Sequence, residues 1–167
     1  RTNITLMFLN EEDFSSLVSF APVISIDICV IQNNSILLGR RNNPPAQNYY
    51  FVPGGRIFKN ESINLAFQRI LKAELGLNIK ELQNKEFIGV FEHHYKENFL
   101  GNEKFNSHYV VLAYKIILNN FQPNIKDQHS EYIWFNKSKD SIENFEKEIH
   151  PYTIDYIEDK EISYLLN

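Results

Sequence analysis

Apolar and polar positions along this chain switch between two periods, and the switches mark out its elements. Residues 23–32 form an apolar run that reads as a strand, and Asn33-Asn34 reads as a hairpin turn. Residues 35–41 are the return strand, and 50–52 a short strand after a Pro-containing loop at 42–48. Residues 86–95 and 131–135 read as strands, and 108–118 alternate cleanly into another. Polar loops separate them at 96–106 and at 119–129. Residues 7–18 have helical character, with Glu11, Glu12 and Asp13 loading the first turn with acid, as the helix dipole favours. Residues 63–75 repeat apolar side chains at helical spacing, and Leu65, Ala66, Ile70, Ala73 and Leu77 draw a core face that leaves out Arg69 and Glu74. Gly76 suits the position just past that helix. The remainder reads as helical, broken at Pro151. This predicts one α/β domain over residues 1–167, with strands around a central loop–helix–loop.

Composition narrows the class. At 167 residues, with 43% hydrophobic and 23% charged residues, the chain suits a small globular enzyme. A net charge of −4 gives no sign of a nucleic-acid partner. No segment is apolar for long enough to span a bilayer, and no signal peptide is visible. The single Cys29 lies in an apolar run, which suggests a buried thiol and a reducing, cytoplasmic setting.

The chemistry concentrates at residues 53–77, PGGRIFKNESINLAFQRILKAELGL. Pro53-Gly54-Gly55 reads as a turn that lets backbone approach a neighbour closely. A carboxylate-bearing helix follows, an arrangement able to hold an oxygen-liganded divalent cation. Gly55, Glu61, Arg69, Glu74, Gly76 and Leu77 fall on a pattern that resembles the Nudix box. Two of the box glutamates are replaced, by Ile70 and Ala73. A site so reduced should hold fewer cations than an ordinary Nudix pyrophosphatase. One branch with this reduction is the GDP-mannose mannosyl hydrolases, and further segments are similar to it: MFLNEEDF, PVISID, LLGRR, PAQNYYFVPGGR, HYVVLAY, DQHSEY and IHPYT.

The resemblance implies a Nudix α/β/α sandwich with a mixed sheet, working as a homodimer. It implies one Mg²⁺ per subunit, replaceable by Mn²⁺, held by the Gly54 carbonyl, Glu74 and Gln128. It implies His129 as general base, since imidazole titrates near neutrality. Arg56 and Arg69 would reach phosphate or orient Glu74, Tyr109 would hydrogen-bond the diphosphate, and Asp27 and His93 would hold the sugar. His93 is the second choice for the base. Phe8, Leu9, Phe14 and Arg41 match the positions that contact guanosine. Read alone, Gln128 is an ordinary loop amide, His129 a solvent-exposed loop histidine, and Phe8 and Phe14 core residues of an amphipathic helix.

The expected reaction is hydrolysis of GDP-mannose to GDP and mannose, with inversion at C1. Two other readings stay open. One is a pyrophosphatase attacking at phosphorus, against which the missing carboxylates argue. The other is a non-catalytic nucleotide-sugar-binding module.

Overall fold

The computed structural model describes residues 8–124, 129–140 and 148–167. Three strands have the bounds that periodicity predicts: β1 (Val23–Gln32), β2 (Ser35–Arg41) and β5 (Glu86–Tyr95). Asn33 and Asn34 sit at φ 49° and 59°, the paired left-handed conformation of a tight hairpin turn. β3 (Tyr50–Phe51) and β6 (Ser107–Ile117) agree within a residue. β7 (His129–Phe135) starts two residues earlier than expected, so His129 opens a strand. Helix α1 (Glu11–Phe20) has Glu11, Glu12 and Asp13 in its first turn as expected, but starts later than the expected span of 7–18, because the Asn10 side chain accepts from the Asp13 N–H and caps it.

The expected turn at Pro53-Gly54-Gly55 is a strand instead, β4 (Gly54–Arg56). β1 pairs with β2 only near the hairpin, at Ile31↔Ile36 and Gln32↔Ser35. Farther along, β4 takes the antiparallel place beside β1, from Ser25↔Arg56 to Asp27↔Gly54. On its other side β1 runs parallel to β6 from Val23↔Tyr109 to Ile31↔Ile117. β6 pairs antiparallel with β5, and β2 pairs antiparallel with both β3 and β7. The sheet is therefore mixed, in the order β3-β2-β1-β6-β5 with β4 and β7 branching off it.

Both faces of β1 are covered. Ile26, Ile28 and Val30 pack with Ala66, Phe67, Ile70 and Leu71 of the central helix. Cys29 and Ile31 face the other way, with Tyr156, Ile157 and Ile162 from the C-terminal helices α3 (Pro151–Glu158) and α4 (Lys160–Ser163). Cys29 is fully buried, as expected. The result is an α/β sandwich.

The central helix begins as α2 (Ile63–Ile70), capped by the Ser62 side chain on the Leu65 N–H. It continues as a wider π turn over Leu71–Leu75 and stops at Gly76, which takes φ 73°. The buried face differs from the expected one. Leu65 and Ala73 are exposed, while Phe67, Leu71, Leu75 and Glu74 are buried. π turns inserted in α-helices recur at functional sites. This one shifts the face at its end, which accompanies the burial of Glu74.

The two box replacements therefore differ physically. Ile70 is 1% exposed and packs beneath Gly55, whose added Cβ would lie 3.2 Å from Ile70 Cγ1. Ile70→Glu is expected to cost about 2–4 kcal/mol of stability by burying a carboxylate. Ala73→Glu should change stability by no more than about 0.5 kcal/mol. Urea denaturation of the two variants checks this, and equal losses would contradict the packing described.

Candidate active site

Where β4 displaces β2 from β1, a cavity of about 270 Å³ opens, and Asp27, Arg41, Gly54, Arg56, His93 and Tyr109 all line it. Phe14 of α1 and Tyr95 of β5 line it too. Strand alternation explains the convergence. His93 and Tyr109 are direct partners across β5 and β6, and Tyr109 is the partner of Val23 on β1.

Asp27 is the centre of the group. Its side chain is almost fully buried, and Gly54 packs directly on it: a Cβ there would fall 2.2 Å from Asp27 Oδ1 and 2.7 Å from the Ile26 carbonyl. Glycine is required here by close approach, which the sequence suggested without naming the neighbour. Burial pushes the Asp27 carboxyl up to about 6, against the hydrogen bond from Tyr156 and the nearby Arg41 charge. The Tyr156 hydroxyl donates to Asp27 Oδ2 at 2.7 Å and lies 3.3 Å from His93 Nε2. His93 stacks on Tyr152 at 4.3 Å and 9°. Burial, with His150 and His94 nearby, holds the His93 imidazole down to about 3. A ring so placed is neutral and weakly basic. It suits positioning.

The cations have distinct settings. Arg56 lies over the rings of Phe14 and Phe58, at 4.7 and 4.5 Å. Arg41 donates from Nε to the Pro45 carbonyl at 2.9 Å. Arg69, expected to reach phosphate or to orient Glu74, is engaged elsewhere. It donates to both carboxylate oxygens of Glu61 at 2.7 and 2.8 Å and to the Arg56 carbonyl at 2.8 Å. Burial would raise the Glu61 carboxyl, but the Arg69 bonds and the Phe58 N–H hold it below its ordinary value. This fork ties the loop at 56–61 to the helix.

A second cluster, none of whose members is among the residues that line the cavity, connects to it through Arg41. Glu74 and His129 are both buried, with Glu74 Oε2 3.6 Å from His129 Nδ1, and the Tyr132 hydroxyl 3.2 Å from the same nitrogen. His129 pairs with Arg41 across β7 and β2. Gly39 makes room for it, since a Cβ there would lie 2.4 Å from His129 Cδ2. The Glu74 carboxylate favours imidazolium, yet burial dominates and Arg41 adds to it, so His129 is held down to about 4. His129 Nε2 is buried without a hydrogen-bond partner among the described residues. Gln128 lies outside the described residues. Phe8 is 74% exposed and rests on Phe58 at 4.9 Å, and Leu9 is half-buried. Neither is among the residues that line the cavity.

The residues missed from sequence are Tyr156, Tyr152 and Tyr95. They come from the C-terminal helix and from β5, far from the box, and no spacing rule links Tyr156 to Asp27. The IHPYT segment was the available signal: Pro151 opens α3 and the His150 ring accepts from the Tyr152 N–H.

Asp27 has a folded pKa above its ordinary 3.8, so its ionisation opposes folding, and stability falls as pH rises from about 4 to about 6. Asp27→Asn removes that loss. In metal-free buffer the variant should gain stability over wild type across this window, by up to ~3 kcal/mol, then hold a constant difference above it. Denaturation at stepped pH checks this, and a difference independent of pH would rule it out.

The family model of the NUDIX domain matches residues 21–154. The low-salt glycan biosynthesis protein Agl8 of Haloferax volcanii is 30% identical over 148 residues, covering 89% of this chain and 88% of that protein. Among solved structures, a MutT NUDIX hydrolase from Burkholderia pseudomallei aligns with TM-score 0.63 at 19% identity, over 83% of this chain and 98% of that one. The NUDIX domain of Shewanella oneidensis NrtR, complexed with ADP ribose, aligns with TM-score 0.62 at 15% identity, over 92% and 97% of the two chains. At these identities the structural likenesses speak for the fold. With the box helix, the mixed sheet and the matched span taken together, this chain belongs to the Nudix family.

Proposed function

We propose that this protein hydrolyses GDP-mannose, or a related GDP-hexose, to GDP and the free sugar. The observation that carries the reading is one cavity with two chemistries. Arg41, Arg56 and Tyr109 line it beside a buried carboxylate, Asp27, while box positions 70 and 73 offer no carboxylate. Arg56 and Tyr109 suit a diphosphate. Asp27, braced by Tyr156, and neutral His93 suit sugar hydroxyls. Glycan biosynthesis in the name of the Haloferax relative is consistent with a sugar substrate.

Two oxygen donors among the described residues suit a hard divalent cation in kind, the buried Glu74 carboxylate and the Gly54 carbonyl on the strand against Asp27, and the resemblance adds the Gln128 amide. One Mg²⁺ or Mn²⁺ per subunit would neutralise the diphosphate as GDP leaves. His129 is unprotonated at neutral pH, and Tyr132 holds its Nδ1. In this reading the His129 imidazole takes the proton as water oxygen bonds to C1, and the bond from C1 to the diphosphate oxygen breaks with its electron pair going to GDP. Attack opposite the leaving group inverts C1. Asp27 steadies the positive charge that develops on the sugar. Arg69 acts at one remove, holding the end of β4 that carries Arg56. Phe14 and Arg41 receive the guanine, and the exposed Phe8 suits contact across a homodimer.

A second reading is attack at phosphorus, for which the ADP-ribose pyrophosphatase of Methanocaldococcus jannaschii, 33% identical over 70 residues, speaks. Turnover of GDP-mannose in ¹⁸O water separates the two. Label in mannose, released first as the β-anomer, is the expected result. Label in GMP or mannose 1-phosphate would establish the pyrophosphatase reading, and no turnover would leave a binding module.

His129→Gln should lower kcat by on the order of 10²–10⁴ with KM little changed, as loss of a positioned general base does. Steady-state kinetics on GDP-mannose measure this. Near-normal turnover would remove His129 from the role and leave His93 and Asp27 as the candidates for the base.

A further inference from the structure

The outer edge of the sheet carries a second group of metal-binding side chains. Glu92, His94 and His108 each offer one donor atom, and the three atoms lie within 4.8 Å of one another. His94 and His108 are direct partners across the antiparallel β5–β6 pair, with ring centroids 4.2 Å apart. Glu92 sits two residues before His94, on the same face of the strand, with Oε1 3.5 Å from His108 Nε2.

This group is separate from the site described above. His93 and Tyr109 face the cavity, so alternation turns Glu92, His94 and His108 to the opposite face of the sheet. His129 is on β7 and the new group on β5 and β6, with β2 and β1 between. At about 4.8 Å per strand that is roughly 15–20 Å.

We propose that Glu92, His94 and His108 bind a transition-metal dication of the zinc class. Two imidazoles and one carboxylate make a nitrogen-rich donor set, which favours Zn²⁺ or Co²⁺ over Mg²⁺ or Ca²⁺. Bond lengths of about 2.0–2.1 Å place tetrahedral donors about 3.3 Å apart, within reach of small rotations of these side chains. The backbone beneath is already held. The Tyr152 hydroxyl accepts from the His94 N–H and donates to the His94 carbonyl, each at 2.8 Å, on the unpaired side of β5. Three protein ligands leave a fourth position for water, and the bound ion pins edge strand β5 to β6.

The test is Zn²⁺ titration by calorimetry, with excess Mg²⁺ present to occupy the box site, and Co²⁺ as a spectroscopic probe. Wild type should bind one Zn²⁺ per chain, and Co²⁺ should give the intense visible bands of a four-coordinate site. His94→Ala and His108→Ala should each weaken binding by on the order of tenfold or more, since even partners behind a ligand matter by 10–100-fold. Zn²⁺ should also raise the melting temperature of wild type but not of the variants. Glu92→Gln, which keeps size and removes charge, should give an intermediate loss and guards against misfolding in the alanine variants. Unchanged Zn²⁺ affinity and Co²⁺ spectrum in His94→Ala and His108→Ala would overturn the proposal, as would absence of binding to wild type.

Discussion

Burial of one carboxylate organises this molecule. Asp27 sits on the strand that both layers of helix cover, where an ionised group lacks water. Its surroundings answer that cost. Tyr156 donates to one oxygen, Arg41 supplies charge, and the neighbouring strand carries glycine where any side chain would collide with the other oxygen. That neighbour is β4, in the place that β2 vacates after the hairpin. The cavity is the space left by this exchange of partners, so the fold makes its pocket by the same step that buries its acid.

The central helix depends on a different interaction. Arg69 holds both oxygens of Glu61 and the carbonyl of Arg56, which fixes the loop between strand and helix from three directions. With the loop held, Arg56 lies between the rings of Phe14 and Phe58 at the cavity wall. At the other end the π turn places Glu74 inside, next to His129, while Ile70 fills the space under Gly55 where the family pattern has an acid. Exchanging that acid for an apolar side chain takes negative charge from the box and adds apolar volume to the core packing.

Most strands were legible because their patterns are local. An apolar run, an Asn-Asn turn and an alternating return strand need no partner to be recognised, and β1, β2 and β5 have the expected bounds. The candidate residues Asp27, Arg41, Gly54, Arg56, His93 and Tyr109 came from motif likeness, and they meet around one cavity. Less legible was anything fixed by a contact across the fold. The box helix turned a different face inward because the π turn breaks the period on which the expected face was drawn. The Gly-Gly segment became a strand because an unpaired stretch of β1 was waiting for it.

By itself, then, the sequence determined most element types, the loop–helix–loop with Glu61 and Glu74 as its surviving box acids, and the charge and size class of the chain. Local periodicity, glycine placement and residue chemistry suffice for those. Tertiary structure decided which groups titrate where. Asp27 rises to about 6 and His129 falls to about 4 because burial, not residue type, sets the dominant cost of charge. It also decided that a tyrosine 129 positions away braces Asp27, and that Glu92, His94 and His108 share one outer face. Those outcomes rest on strand register and helix docking, which are properties of the packed sheet and of no segment alone.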